Sequence, residues 1–444
     1  MNKMAMLAGA AALATISASD VARAQGSAAA ATPSQIDAKA VVADVQRILD
    51  ANYVLPEMRP KLNAALSQGL TAGRYTVSDP NILAERINAD MSAVANDKHL
   101  GMQYDPAQQA RLAASSAGSG ADDAPPSEEE VRRAIRLNHG ITEMKVLPGN
   151  IRYMDLIGFF WGGKPTEEAY DNAMRFLRDG DAAIIDLRRN GGGSPDAVRY
   201  LISHFLEPNR PIVTFYMRGK PGDTLKTLAT LPAGRMIGKP LYVLTSGGSA
   251  SAAEEFIGHV AGFKVGELIG ETSAGAGYRN EFFPVAGGYV ISVSVGRAVL
   301  ASTGKDWEKV GIAPTVKVEQ DKALEMAQVR ALRKLASTAT GQDKTVFEAS
   351  AQVLEAQLKP VATALPAAQY AGVYGVRHIT NDGGKLVFQR EGGPKGQLVA
   401  VAANEFAFVA DPMQRVKFKV AGDAATELEL IRGDGSRVVA ARNP

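Results

Sequence analysis

Apolar residues recur at helical spacing through the first part of the chain. Val41, Val45, Ile48 and Leu49 share one face, and a second helix runs from Pro60 to Leu70. Leu83, Ile87, Met91 and Val94 form a third stripe behind Asp79 as cap and Pro80 at the first helical position. The pattern predicts a three-helix module over residues 34–104, closing on the polar turn Asn96-Asp97-Lys98-His99 and a short extended segment at 100–104. Residues 105–130 contain SSAGSGADDAPPSEEE and read as a flexible loop.

The pattern then alternates between strand and helix. Strands are predicted at 141–146 and 151–156 around Pro148-Gly149-Asn150, a helix at 166–178, and a buried strand at 181–187. Arg188-Arg189-Asn190-Gly191-Gly192-Gly193 makes a glycine turn before a helix at 195–205. A strand at 241–244, a turn at Gly247-Gly248 and an Ala-rich helix at 251–260 repeat the unit, followed by strands at 265–269, 281–284 and 289–295. This alternation predicts an α/β layered core over 131–340. Helices at 324–335 and 344–358 lead through a helix-and-linker segment, 341–366, into short alternating strands over 367–444. That last stretch reads as a separate all-β module, a sandwich or small barrel.

Length supports the division, because 444 residues exceed what one hydrophobic core usually holds. The formal net charge of +2, with no basic stripe, argues against nucleic acid or an acidic membrane surface as partner. Lys3, the apolar run 4–16 and Ala22-Arg23-Ala24 read as a signal peptide over 1–24, and residues 26–33 read as a linker. No later segment is apolar for long enough to span a bilayer, so the mature chain is expected without an integral membrane segment. With no cysteine, thiol chemistry and disulfides are excluded, and export to a bacterial periplasm fits better than a disulfide-rich extracellular setting.

The chemistry-bearing stretch is 241–260, LYVLTSGGSASAAEEFIGHV. It holds Ser251 at a helix start, where unpaired N–H groups and the helix dipole favour developing negative charge. Serines also cap helices for structural reasons alone, so the segment by itself leaves both readings open. The glycine turn at 191–193 lacks the spacing of a nucleotide-binding loop; its bare N–H groups offer a second oxyanion donor instead. His99 leaves its helix as either a solvent-facing histidine or a base.

Four ordered motifs carry a family resemblance: Asp186-Leu187-Arg188-Arg189-Asn190-Gly191-Gly192-Gly193, Thr245-Ser246-Gly247-Gly248-Ser249-Ala250-Ser251-Ala252-Ala253-Glu254, Gly270-Glu271-Thr272 and Gly311-Ile312-Ala313-Pro314. The chain resembles the S41 peptidases, the tail-specific or C-terminal processing proteases, across residues 99–318. It is most similar to the branch of the interphotoreceptor retinoid-binding protein and the tricorn core, and 99–139 is too short and polar for a PDZ domain. The resemblance implies a ClpP/crotonase-like layered core, a peptide or unfolded-protein substrate and no cofactor or metal. It also implies Ser251 as nucleophile, with the N–H groups of Ala252 and Gly192 as oxyanion donors.

The lysine that processing proteases pair with serine is replaced here by Gly275 or Ala276, which excludes a Ser-Lys mechanism. Asp97-Lys98-His99-Leu100 matches the family's Asp-x-His-Leu pattern, so the tricorn-like branch implies His99 as base and Glu308 as its orienting carboxylate. Lys98 stands where the family has an intervening serine. An exported serine endopeptidase or C-terminal processing peptidase is therefore expected. The alternative is a non-catalytic binder of hydrophobic small molecules on the same scaffold. Ser246 and Ser249 read as turn residues, Glu254 and Glu255 as structural, His139, His204 and His259 as packing or surface residues, and His378 as outside the core.

Overall fold

The computed structural model describes residues 36–115 and 125–444. The expected signal peptide (1–24) and linker (26–33) lie outside them, as does the middle of the 105–130 segment. Helices α1 (Ala38–Asn52), α2 (Arg59–Thr71) and α3 (Pro80–Ala95) form where the apolar stripes lie. Asp37 and Asp79 cap α1 and α3 by accepting the N–H groups of Ala40 and Asn81. α3 ends at Asn96 in the left-handed region (φ 46°), which turns the chain through 97–99 into strand β1 (Gly101–Tyr104).

Two helices, α4 (Pro106–Ser115) and α5 (Glu128–Arg136), occupy much of the segment expected to be a loop. Asp105 accepts the Gln108 N–H at the start of α4, and Ser127 and Glu130 form a capping box on α5. The helical module is also not self-contained. Its core, including Val45, Leu49, Leu66 and Ile87, continues into Val285, Tyr289, Ile291 and Val293.

The central unit begins with β2 (Ile141–Leu147), β3 (Ile151–Leu156), α6 (Lys164–Arg178), β4 (Ala182–Asp186) and α7 (Pro195–Ile202). It continues with β5 (Pro211–Met217), β6 (Asp223–Lys226), β7 (Leu241–Thr245), α8 (Ala252–Gly262) and β8 (Glu267–Gly270). Then come β9 (Tyr278–Val285), β10 (Tyr289–Leu300), β11 (Val316–Lys317), α9 (Ala323–Thr338) and α10 (Gly341–Leu358). The main sheet has the order β11-β8-β7-β4-β3-β2, parallel except for β2. Side chains alternate across it: Met154, Leu156, Ile185, Val243 and Leu268 pack with α6, α7 and α8, whereas Tyr153, Ile184, Tyr242 and Leu244 pack on Ala323, Ala327 and Leu332 of α9. The result is a helix-sheet-helix sandwich.

A second sheet, β1-β10-β5-β6 with β9 also on β10, couples the helical module to this core. Gly101 to Tyr104 pair with Ser292 to Tyr289, and Lys98 Nζ bonds Ala274 O, which ties the 97–99 turn to the loop that follows β8. After α11 (Ala367–Tyr370), β12 (Gly372–Tyr374), β13 (Arg377–Asp382), β14 (Lys385–Arg390), β15 (Lys395–Ala402), β16 (Glu405–Phe408), β17 (Arg415–Ala421), β18 (Ala424–Ile431) and β19 (Arg437–Ala441) form an antiparallel meander. Tyr374 bridges Arg442 and Asn443 N–H reaches Val373 O, so the sheet nearly closes around Tyr370, Tyr374, Phe406 and Phe418. Among the described residues, no helix is long and apolar enough to cross a membrane.

Candidate active site

Ser251 sits between β7 and α8 with φ 56° and ψ −120°, a conformation that a residue bearing a Cβ rarely adopts. The turn before it is fixed by its own serines. Ser246 Oγ donates to Arg188 O (2.6 Å), Ser249 Oγ donates to Leu187 O (2.8 Å), and Ser249 Oγ accepts the Ser246 N–H (3.0 Å). These serines are structural, as their place in the turn predicts. Ser251 itself lines a cavity of about 150 Å³ with Gly193, Ala252, Glu255, Phe215, Ala276 and Trp307 among its walls.

Glu254, one turn into α8, is fully buried. Its Oε2 accepts the N–H groups of Ser251 (3.0 Å) and Ala276 (2.7 Å), and its Oε1 accepts Ser273 Oγ and Gly275 N–H, both at 2.6 Å. The carboxylate thus ties the serine turn to the 273–276 loop with charge-assisted bonds. The same loop is zipped to the 307–312 segment: Lys309 N–H donates to Gly275 O, Trp307 Nε1 to Ala276 O, and Ser273 N–H to Ile312 O.

The glycine turn packs directly on Ser251. A Cβ on Gly192 would stand 2.8 Å from Ser251 Cβ, and φ at Gly192 is 107°, so only glycine fits. The expectation for its N–H needs correction, because that group already donates to Asn190 Oδ1 at 2.9 Å. The next amide is different. Phe159 bonds Gly192 O and Ser194 N–H, which turns the Gly193 N–H to the other side, and Gly193 N–H has no protein partner among the described residues. Ala252 N–H, at the first position of α8, is likewise unpaired.

The structure brings His99 to the same region but forms no hydrogen bond between its ring and Ser251 or Glu308. Its backbone is held on both sides: the N–H donates to Asp97 Oδ1 (2.9 Å) and the carbonyl accepts Ser292 Oγ (2.6 Å). Its Nδ1 is buried without a partner. Burial holds the imidazole below the usual histidine range, while Asp97 and Glu254 act in the opposite direction. His99 and Ser251 therefore share Glu254 as a neighbouring carboxylate.

Glu308 Oε2 accepts the N–H groups of Gly277 (2.7 Å) and Tyr278 (3.2 Å), two residues that line the Ser251 cavity. Its Oε1 is buried without a partner. Burial, aided by the like charge of Asp97 and opposed by the two N–H groups, pushes its carboxyl up to about 7. Lys98 Nζ bonds the carbonyl of Ala274. His139, His204 and His259 are buried against Thr166, Asp171 and Glu255 respectively, consistent with packing positions.

Larger cavities lie elsewhere, along the seam between α10 and the C-terminal sheet. One of about 620 Å³ is lined by Arg333, Glu355, Lys359 and Arg415, away from Ser251.

The sequence matches the family model described as peptidase family S41 over residues 150–318, and the model for the N-terminal domain of S41 peptidases in eukaryotic IRBP over 32–140. The chain belongs to peptidase family S41. It is 28% identical over 181 residues to the carboxy-terminal processing protease CtpB of Bacillus subtilis, covering 40% of this chain and 36% of that protein. It is 29% identical over 183 residues to a carboxy-terminal-processing protease of Bartonella bacilliformis, covering 39% of each. The chain thus spans less than two fifths of the length of either of these curated relatives. Among solved structures, it is similar to a photosystem II D1 C-terminal processing protease at 17% identity and a TM-score of 0.42, covering 64% of this chain and 94% of that one.

Proposed function

We propose that this chain is an exported serine peptidase, an endopeptidase or C-terminal processing peptidase of the periplasm, acting on peptides or unfolded polypeptides. The observation that carries the reading is that Ser251, in its strained turn, lines one cavity with two residues whose N–H groups are unpaired, Ala252 and Gly193. Unpaired donors beside a positioned hydroxyl suit a carbonyl carbon under attack and the oxyanion it becomes. His99 takes the Ser251 proton as the hydroxyl oxygen bonds the carbonyl carbon, and returns it to the leaving amine. Water then attacks the acyl-enzyme through the same imidazole. Ala252 and Gly193, the latter in place of Gly192, hold the oxyanion. Glu308 supports the imidazolium in its ionised form, and no metal or organic cofactor is needed.

The layered core is of ClpP/crotonase type, with the helical module (34–104), the core (131–340) and the β module (367–444) as its divisions. The cavity beside Ser251, about 150 Å³ and walled by Phe215, Ala298 and Trp307 together with Glu255, Arg279 and Asn280, has the size for one side chain of the substrate. The test is hydrolysis of an unstructured polypeptide ending in apolar residues, followed by mass spectrometry. Discrete products from the wild type and none from Ser251→Ala support the reading; equal products from both overturn it.

A further inference from the structure

We propose that Asn190 is the positioning residue of the oxyanion hole, an inference that rests on Ser251 as nucleophile and on the Gly193 and Ala252 amides as the donors. Asn190 is fully buried in the turn after β4, and its polar groups all find partners on segments that must be held together. Its Nδ2 donates to Leu156 O (2.9 Å) at the end of β3, and its Oδ1 accepts the Gly192 N–H (2.9 Å). Its backbone N–H donates to Leu187 O (3.0 Å), and its carbonyl accepts the Ala250 N–H (3.0 Å), one residue before the nucleophile. One side chain therefore fixes the glycine turn to the sheet, and its backbone fixes the same turn to the serine turn.

The side-chain orientation follows from its partners. Reversing the amide would set its NH₂ against the Gly192 N–H and its oxygen against the Leu156 carbonyl, so the network admits one assignment. The consequence falls on the neighbouring residue. With Gly192 N–H drawn inward to Asn190 and Gly192 O bonded to Phe159 N–H (2.8 Å), the Gly193 amide stays on the opposite side of the turn. Without Asn190 the buried Gly192 N–H and Leu156 O lose their partners, and the turn must rotate or admit water to recover them. Either change moves the Gly193 N–H relative to Ala252 N–H. A donor pair displaced by even a fraction of an ångström no longer matches an oxyanion, while contacts to the unreacted peptide are little altered.

The experiment compares the wild type with Asn190→Ala and Asn190→Asp, the second of which keeps an acceptor for Gly192 N–H. Steady-state hydrolysis is measured together with the affinity of a peptide boronate, whose oxygens mimic the tetrahedral intermediate. Peptide binding is measured in the Ser251→Ala background. In Asn190→Ala, kcat should fall about 100-fold with KM within about twofold, and boronate affinity should fall by the same factor as kcat/KM. Peptide affinity of the Asn190→Ala/Ser251→Ala double variant should match that of Ser251→Ala. A rise in KM alone, or boronate affinity that stays at the wild-type value while kcat falls, overturns the proposal. If Asn190→Ala does not fold, the same proportionality is read from Asn190→Asp, where its absence is equally decisive. Loss of boronate binding and turnover in the wild type itself would instead sink the reading of Ser251, a result distinguishable from failure of Asn190 alone.

Discussion

Glu254 accepts the N–H of Ser251 at 3.0 Å while its other oxygen holds Ser273 Oγ and Gly275 N–H at 2.6 Å, so one buried carboxylate sets both the serine turn and the loop facing it. All four of its partners are donors. Glu254→Gln places an NH₂ among them, and leaving buried donors unpaired costs about 1–3 kcal/mol each. We expect a loss on the order of 2–4 kcal/mol in urea unfolding, with hydrolysis lost as well. Wild-type stability in Glu254→Gln would contradict this account of the turn.

The φ of 56° at Ser251 stores strain that glycine relieves and alanine does not. Both Ser251→Gly and Ser251→Ala should abolish hydrolysis. Ser251→Gly should nevertheless be more stable than Ser251→Ala by about 1 kcal/mol, because removing the Cβ outweighs the added freedom of the unfolded chain. The comparison is made by denaturant titration, and an Ala variant at least as stable as the Gly variant would show that the turn is not strained.

Glu308 gives a pH signature. Its carboxyl is raised to about 7 in the folded chain, above its ordinary value of 4.5, so the folded state binds the extra proton between those limits. Stability from this group is fully present below about 4.5 and is lost as pH rises through about 7. Glu308→Gln should therefore raise the melting temperature at pH 8.5 relative to wild type and leave it near wild type at pH 4.5. Activity should have the opposite sense, since in the proposed mechanism the ionised carboxylate supports the imidazolium. The acid limb of kcat/KM should lie near 7 in the wild type and move below the usual histidine range in Glu308→Gln, where burial holds His99. An unmoved limb would remove Glu308 from the reaction.

Tyr53 OH donates to Asp97 Oδ2 at 3.0 Å, and Asp97 Oδ1 accepts the His99 N–H, so the end of α1 reaches the proposed base through one carboxylate. Tyr53→Phe leaves Asp97 buried with one unpaired oxygen. Stability should fall by about 1–3 kcal/mol in thermal or urea unfolding, and kcat should fall with it while KM holds. Stability unchanged from wild type would mean that the hydrogen bond has no role in fixing the 97–99 turn.

Much of this site is legible in the amino-acid order because backbone rules bear on it directly. A helix start after Gly247-Gly248 marks Ser251, and the Asn190 to Gly193 run marks a turn that brings bare amides forward. Which amide faces outward was not legible: it depends on Asn190 bonding Leu156, 34 positions earlier in the chain. The role of Glu254 was hidden for the same reason, since its partners at 273–276 follow from tertiary folding. α4 was obscured by the small and acidic residues after it, although Pro106 and the Ala, Gln and Leu that follow favour a helix. Strands β5 and β6 lie outside the stretches whose alternation marked strands: β5 is held by pairing with β10, far along the chain, and β6 pairs on β5.

The proposed peptidase chemistry requires Ser251 to be an activated nucleophile served by His99. Its most direct test is to treat the purified chain, Ser251→Ala and His99→Ala with a fluorophosphonate and map the adduct by mass spectrometry. A single adduct on Ser251 is expected in the wild type, none in Ser251→Ala, and labelling slowed at least about 100-fold in His99→Ala. A folded wild-type chain that takes no label, or one labelled at another serine, would contradict it.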